Sequence, residues 1–442
     1  MSAVCARVRA ALALAAALLV AATQWRSPVL AGWRTAELAV LIAGPLVLTC
    51  AAWRARAAPV PGRRLAAALR IGAGLLAVLA LAVTAMTEAR FQRDRYLVLN
   101  AEPGRLARLG RHVVVGYRDL DDLRALVERR AVAGVFVTAR NVEGLSADEV
   151  RSTIAALQDI RTRQGAPPLW IATDEEGGAV SRLSPPLARR PPLSSLAGGA
   201  APQANDFARA QAYGAAQGRD LARLGINLNF APVVDLNRSL VNPQDRYTRI
   251  YQRAISADPA VVTAVARRYC AGLGESGVRC TLKHFPGLGG VFDDTHVGGA
   301  ELATALADLA AADWVPFRAL MQDGTFAMLA HVRLNAVDGD RPASLSKRVV
   351  TGLLREAWGY DGVLITDDFS MGAIAGGRAG VGGAAVAALD AGVDLLLVAY
   401  DPDQYYPLMA ALLRADRAGE LSADLIARSA ARLVRAAPQP QP

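Results

Sequence analysis

Several short stretches of this 442-residue chain end in side chains that can attack carbon or move protons: Asp174, Asp235, Lys283-His284, His331 and Asp367-Asp368. Between them lies a further pair, Asp294 and His296, one residue apart. Composition sharpens the set. Of 49 basic residues only two are Lys, Lys283 and Lys347, and there are only four His, three of which belong to this group. A carboxylate can serve as nucleophile or as hydrogen-bond acceptor. An imidazole titrates near neutrality and can give and then take a proton. A carboxylate on its other ring nitrogen fixes the tautomer and favours the protonated form. No CxxC, HxxxH or HExxH spacing occurs, so no metal and no organic cofactor is implied.

The elements that must position these residues are legible as eight apolar, β-branched runs: 112–117, 133–138, 169–173, 226–232, 279–284, 326–331, 362–366 and 393–398. Amphipathic stretches such as 148–164, 206–224, 259–275 and 383–391 alternate with them. Continuous apolar strands alternating with helices imply a parallel sheet covered by helices. Eight such units predict an α/β fold, a (β/α)8 TIM-like barrel. A doubly wound sheet would want a phosphate-binding glycine loop after its first strand, where this chain has Arg118-Asp119-Leu120-Asp121. The glycine-rich stretch 376–383 is expected to be a loop. In a barrel the chemistry belongs at the C-terminal strand ends, where Asp174, Asp235, Lys283-His284, His331 and Asp367 all fall.

The net charge of +9 does not describe this barrel. Residues 1–87 hold nine Arg and one acid, Glu37, whereas residues 88–442 hold 40 basic and 39 acidic side chains. No basic stripe remains, and a nucleic-acid partner is not expected. Three uncharged apolar runs, 10–25, 38–53 and 71–87, carry the Arg at their edges and Trp25, Trp33 and Trp53 at their ends. The expected organisation is a membrane region over 1–95 with two or three transmembrane helices, a barrel over 96–436, and a disordered tail at 437–442. Arg7 and Arg9, with five Arg between the second and third runs, favour a cytoplasmic N-terminus; Arg90, Arg93 and Arg95 count the other way. Alternatively the first run is a signal peptide cleaved near Val29–Ala31. Both versions place the barrel on the periplasmic or outer side of the inner (cytoplasmic) membrane. Cys270 and Cys280 could pair there.

Lys283-His284-Phe285-Pro286-Gly287 followed by Asp294-Thr295-His296 resembles the signature of glycoside hydrolase family 3, in its bacterial β-N-acetylglucosaminidase branch. Asp174-Glu175-Glu176-Gly177-Gly178 with Arg182, Asn229 to Asp235, Arg253 with Asp258-Pro259, Ala330-His331-Val332 with Pro342-Ala343-Ser344, and Thr366-Asp367-Asp368-Phe369-Ser370-Met371 resemble further motifs of that family in the same order. The likeness runs from about residue 130 to 400. Leu288 stands where the branch has a second His, and Ala179 where Arg is common.

The resemblance implies a retaining β-N-acetylhexosaminidase acting by double displacement on terminal GlcNAc of glycans, peptidoglycan fragments among them. Asp367 takes the nucleophile position, and His296 with Asp294 the acid/base position. Asp174, Arg182, Arg253, Lys283, His284 and His331 take substrate-binding positions. Plainer roles stay open: Arg182 could pair with Asp174 or Glu176, Arg253 with Asp258, and His331 could be a satisfied core residue. Asp368 or Ser370 is expected to cap the helix after the seventh strand. The implied partners are a GlcNAc-containing oligosaccharide and the membrane, and the barrel is expected to be monomeric. Other readings are a family 3 phosphorylase, a β-glucosidase or xylosidase, and a non-catalytic membrane-tethered glycan-binding protein.

Overall fold

The computed structural model describes residues 3–54, 63–197, 204–322 and 324–438, so Arg56 and most of the tail expected at 437–442 lie outside the described residues. The chain divides into two units, Met1–Leu99 and Asn100–Pro442.

The first unit is three helices, α1 (Ala3–Thr23), α2 (Arg34–Arg54) and α3 (Arg63–Leu99). They pack on one another through Leu18, Ala22, Trp25, Leu41 and Ala80. Arg26 pairs with Glu88 at 2.8 Å and ties the end of α1 to α3. Leu14, Val20, Val40, Val47, Ile71 and Leu75 face outward. An apolar outer surface of this kind suits lipid better than water. Two stretches, Pro28–Ala51 and Ala66–Leu99, are long and apolar enough to cross a membrane, and Val8–Thr23 is shorter.

The second unit is a closed barrel of eight parallel strands. These are β1 (Val113–Gly116), β2 (Gly134–Phe136), β3 (Trp170–Thr173), β4 (Leu228–Asn229), β5 (Arg279–Phe285), β6 (Phe326–Leu329), β7 (Leu364–Asp368) and β8 (Leu395–Val398). Each lies inside or overlaps one of the eight apolar runs, and β8 closes on β1 with Val113 opposite Leu396. The interior is filled by Val114, Phe136, Trp170, Phe230, Met328, Ile365 and Leu397, so it is a packed core and not a pore.

The outer helices begin where local chemistry favours it. Asp119 accepts the amides of Asp121 and Asp122 to start Leu120–Glu128, and Ser146 with Glu149 forms a capping box for Ala147–Arg163. Asp258 caps Pro259–Gly274. Within that helix Cys270 is joined to Cys280 on β5 by a disulfide with Cα atoms 5.5 Å apart. The stretch 376–383 is not a loop throughout, because helix Gly380–Ala391 starts inside it. Gly382 serves close packing against helix Tyr405–Ala418: a Cβ there would stand 2.8 Å from the Ala411 Cβ and 3.1 Å from the Pro407 carbonyl.

At the N-terminal end of the barrel one buried carboxylate ties four elements together. Asp394, preceding β8, accepts from Arg355 at 2.6 Å, from Arg432 at 2.9 and 2.8 Å, and from the Leu364 amide at 2.8 Å. Asp394 is fully buried and Arg432 nearly so. Removing one partner of such a group leaves charge without compensation. Asp394→Ala is therefore expected to lower unfolding free energy by about 3–5 kcal/mol, read from urea unfolding of the full chain.

Candidate active site

The site is assembled at the other end of the barrel, from the loops that follow β3, β4, β5, β6 and β7. A cavity of about 460 Å³ lined by Arg279, Arg318, Trp358 and Arg432 opens at the N-terminal end, away from Asp174, Lys283, His296 and Asp367. Barrel chemistry belongs to the C-terminal face.

β7 ends in Asp367-Asp368. The expectation that Asp368 or Ser370 caps the next helix is corrected. Asp368 accepts the amides of Ser370 (2.9 Å), Ala399 (2.8 Å) and Tyr400 (2.9 Å), and the Ser370 hydroxyl accepts the Asp401 amide at 3.1 Å. The amides just past β8 have no strand partner there, so these two side chains take them up. Asp367 is left to the centre of the rim, with one hydrogen bond from the Asp368 amide at 2.8 Å. Burial raises its carboxyl, but the imidazoles of His284, His331 and His296 outweigh that and hold it below the ordinary 3.8.

Each of those imidazoles has a fixed seat. Asp235, buried beyond β4, takes the His284 Nδ1 at 2.7 Å and the amides of His284 and Leu288. His331 Nδ1 lies 2.8 Å from Ser344 Oγ, and its Nε2 lies 3.2 Å from the Asp368 carbonyl. Burial pushes the His331 pKa down. With both ring nitrogens occupied, it is a satisfied core histidine beside Asp367.

His296 differs in being partly exposed, with 41% of its side chain accessible. Asp294 Oδ1 accepts both the His296 ring Nδ1 (2.8 Å) and the His296 amide (2.9 Å), and the Thr248 hydroxyl at 2.9 Å. Burial opposes ionisation of Asp294, but these donors prevail and hold its carboxyl at about 2. The dyad loop rests on the segment after Asp367. The Gly372 amide donates to the His296 carbonyl at 2.9 Å and the Ala373 amide to the Thr295 carbonyl at 3.1 Å. A Cβ at Gly372 would stand 2.3 Å from the Val297 carbonyl oxygen, so only glycine permits this approach.

A buried ion cluster supports the rim from the β3 side. Lys283 Nζ lies 2.6 Å from both Asp174 Oδ1 and Glu176 Oε1, and Arg253 makes two bonds to Glu176, at 3.0 and 2.6 Å. Burial would raise Glu176, yet Arg253 and Lys283 hold it well below its ordinary value. Arg253 also donates to the Thr248 carbonyl at 2.8 Å. The pairing of Arg253 with Asp258 is thereby corrected, since Asp258 is used as the cap of the next helix and Glu176 takes the guanidinium. Arg182 stays exposed. Only its amide joins the site, through the Asp174 carbonyl at 3.1 Å, so neither pairing considered for its side chain forms.

The structure thus brings Asp174, Lys283, His284, Arg253, His331, Asp294, His296 and Asp367 to one rim and leaves the Arg182 guanidinium apart. Sequence reasoning did not single out Glu176, Asp235 or Thr248 for their roles here. The first two stand within recognisable motifs, whereas a lone threonine carries no signal.

Comparison with known proteins gives the family. Residues 105–436 match the model of the glycosyl hydrolase family 3 N-terminal domain. The chain belongs to glycosyl hydrolase family 3. Among curated family 3 relatives, Beta-hexosaminidase LpqI of Mycobacterium tuberculosis is 37% identical over 340 residues, covering 74% of this chain and 81% of that protein. The solved structure of M. tuberculosis LpqI superimposes with a TM-score of 0.65 at 34% identity, covering 77% of this chain and 98% of that one. A family 3 β-N-acetylglucosaminidase from Paenibacillus sp. gives a TM-score of 0.69 at 34% identity, covering 75% of this chain and 61% of that one.

The Glu176 cluster makes a stability prediction with a defined sign. A carboxyl whose folded pKa is depressed contributes stability that is present above its unfolded value, near 4.5, and lost as pH falls through the folded value. Glu176→Gln leaves Lys283 and Arg253 buried without that anion and should cost about 3–5 kcal/mol at neutral pH. The gap from wild type should narrow as pH falls below 4.5. Unfolding followed across pH 3 to 7, as an approximate range set by the carboxylate titration, checks both the size and the trend.

Proposed function

We propose that this protein is a retaining β-N-acetylhexosaminidase that removes terminal GlcNAc from glycans, peptidoglycan fragments in particular. The observation that carries the reading is a half-buried, ionised Asp367 faced by three imidazoles, one of which is the partly exposed His296 held by Asp294. The relatives' hexosaminidase names support the sugar class.

In the first displacement an Asp367 oxygen attacks the anomeric carbon as the glycosidic C–O bond breaks. His296 delivers its proton to the departing oxygen. Since Nδ1 is held by Asp294, the transfer runs through Nε2. In the second, His296 takes a proton from water, the water oxygen attacks the same carbon, and Asp367 is released with the anomeric configuration retained. Having given up its proton, His296 is neutral and does not repel the Asp367 carboxylate. Asp174 has one oxygen on Lys283 and keeps the other for a ring hydroxyl. Lys283, Arg253 and His284 act on the sugar mainly by fixing Asp174 and the rim, and Arg182 is free to reach it.

The three N-terminal helices suit a membrane anchor that holds the barrel on the periplasmic or outer side of the inner membrane. The Cys270–Cys280 disulfide supports an oxidising compartment.

Asp367→Ala is expected to lower turnover of nitrophenyl and natural β-GlcNAc glycosides by at least about 1,000-fold. His296→Ala should lose about 100-fold or more on sugar leaving groups and far less on nitrophenolate, which departs without a proton. Assays on β-glycosides of GlcNAc, glucose and xylose, with and without phosphate, check the reading. Full activity in Asp367→Ala, preference for glucose or xylose, or GlcNAc-1-phosphate as product would contradict it.

A further inference from the structure

The acid of a glycosidase touches the oxygen that leaves, so whatever borders its outer edge meets the leaving group. His296 presents Nδ1 to Asp294 and is partly exposed on its other side. Its aromatic neighbour is Tyr247, whose ring centroid lies 5.7 Å from the imidazole at an interplanar angle of 38°. Tyr247 is 61% exposed.

An exposed tyrosine is ordinary, but this one stands on an unusually constrained backbone. Asp245 accepts the amides of Tyr247 (3.2 Å), Thr248 (2.9 Å) and Arg249 (2.7 Å). The next residue is clamped twice more, by its hydroxyl on Asp294 and its carbonyl on Arg253. The position of the Tyr247 Cα is therefore tied to the same groups that set the dyad. Phe292 and Val297, on the loop that carries the dyad, are also exposed. An aromatic face held in place beside an acid suits the C–H face of a pyranose ring. It offers contact area with only two side-chain torsions to immobilise.

Resting on the reading of His296 as the acid, we propose that Tyr247 is the floor of the leaving-group subsite and stacks on a second pyranose ring β-linked to the terminal GlcNAc. The substrate class is thereby narrowed to saccharides whose aglycone is itself a sugar ring.

The test compares GlcNAc-β-1,4-GlcNAc with β-GlcNAc fluoride, which carries no aglycone, using the full chain. Tyr247→Ala should lower kcat/KM on the disaccharide about tenfold more than on the fluoride, mainly through KM. Tyr247→Phe should restore the disaccharide to within about twofold, since the ring is kept. Tyr247→Leu preserves apolar bulk without a ring and should behave as the Ala variant does; it serves if the Ala variant folds poorly. Equal losses on both substrates, or no rescue by Phe, overturn the inference while leaving the hexosaminidase reading intact. Wild-type protein that cleaves neither substrate overturns both.

Discussion

Glu176 is a carboxylate with almost no access to water, and an isolated charge there would be prohibitively costly. Arg253 and Lys283 offset that cost, and each then reaches a second partner. Lys283 holds Asp174, on the proposed sugar side. Arg253 holds the Thr248 carbonyl, the Thr248 hydroxyl holds Asp294, and Asp294 holds His296. One buried ion cluster therefore sets the sugar-facing carboxylate and the proton-transfer pair in register with each other. The residues proposed to bind and those proposed to react share a single electrostatic foundation, so a change in Glu176 propagates to both.

The proposed nucleophile obeys a complementary constraint. Asp367 is half-buried without a full ion-pair partner and is kept ionised by imidazoles, which are weaker and more adjustable than a guanidinium. A permanent cation at that distance would hold the carboxylate in place and blunt its attack. Two of the three imidazoles are locked by Asp235 and Ser344, and only His296 retains an open ring nitrogen on a partly exposed side chain. That asymmetry separates the proposed proton-transfer residue from those that tune the field.

The barrel was legible in the sequence because strands covered by helices and packed inside a closed sheet are apolar throughout, and each of the eight runs does contain a strand. The rim was legible where rare residue types coincide with strand ends, as at Lys283-His284 and Asp367. Partner assignment was harder. Arg253 and Asp258 are close in the chain, but Asp258 serves the amide of Ala260, while the guanidinium reaches Glu176 from a distant loop. Such long-range pairing leaves no local pattern. The glycine-rich stretch 376–383 reads as a loop because glycine weakens helices, whereas at Gly382 the lack of a side chain permits a close helix contact. Thr248 and Tyr247 act through position alone, and no motif marks them.

The proposed attack of Asp367 on the anomeric carbon can be trapped. Incubation with a 2-deoxy-2-fluoro β-glycoside bearing a good leaving group slows release of the covalent intermediate enough for proteolysis and mass spectrometry of the peptides. One glycosylated peptide is expected, with the sugar on Asp367. A label on any other residue, or active enzyme that accumulates no label while inverting the anomeric centre, would contradict it.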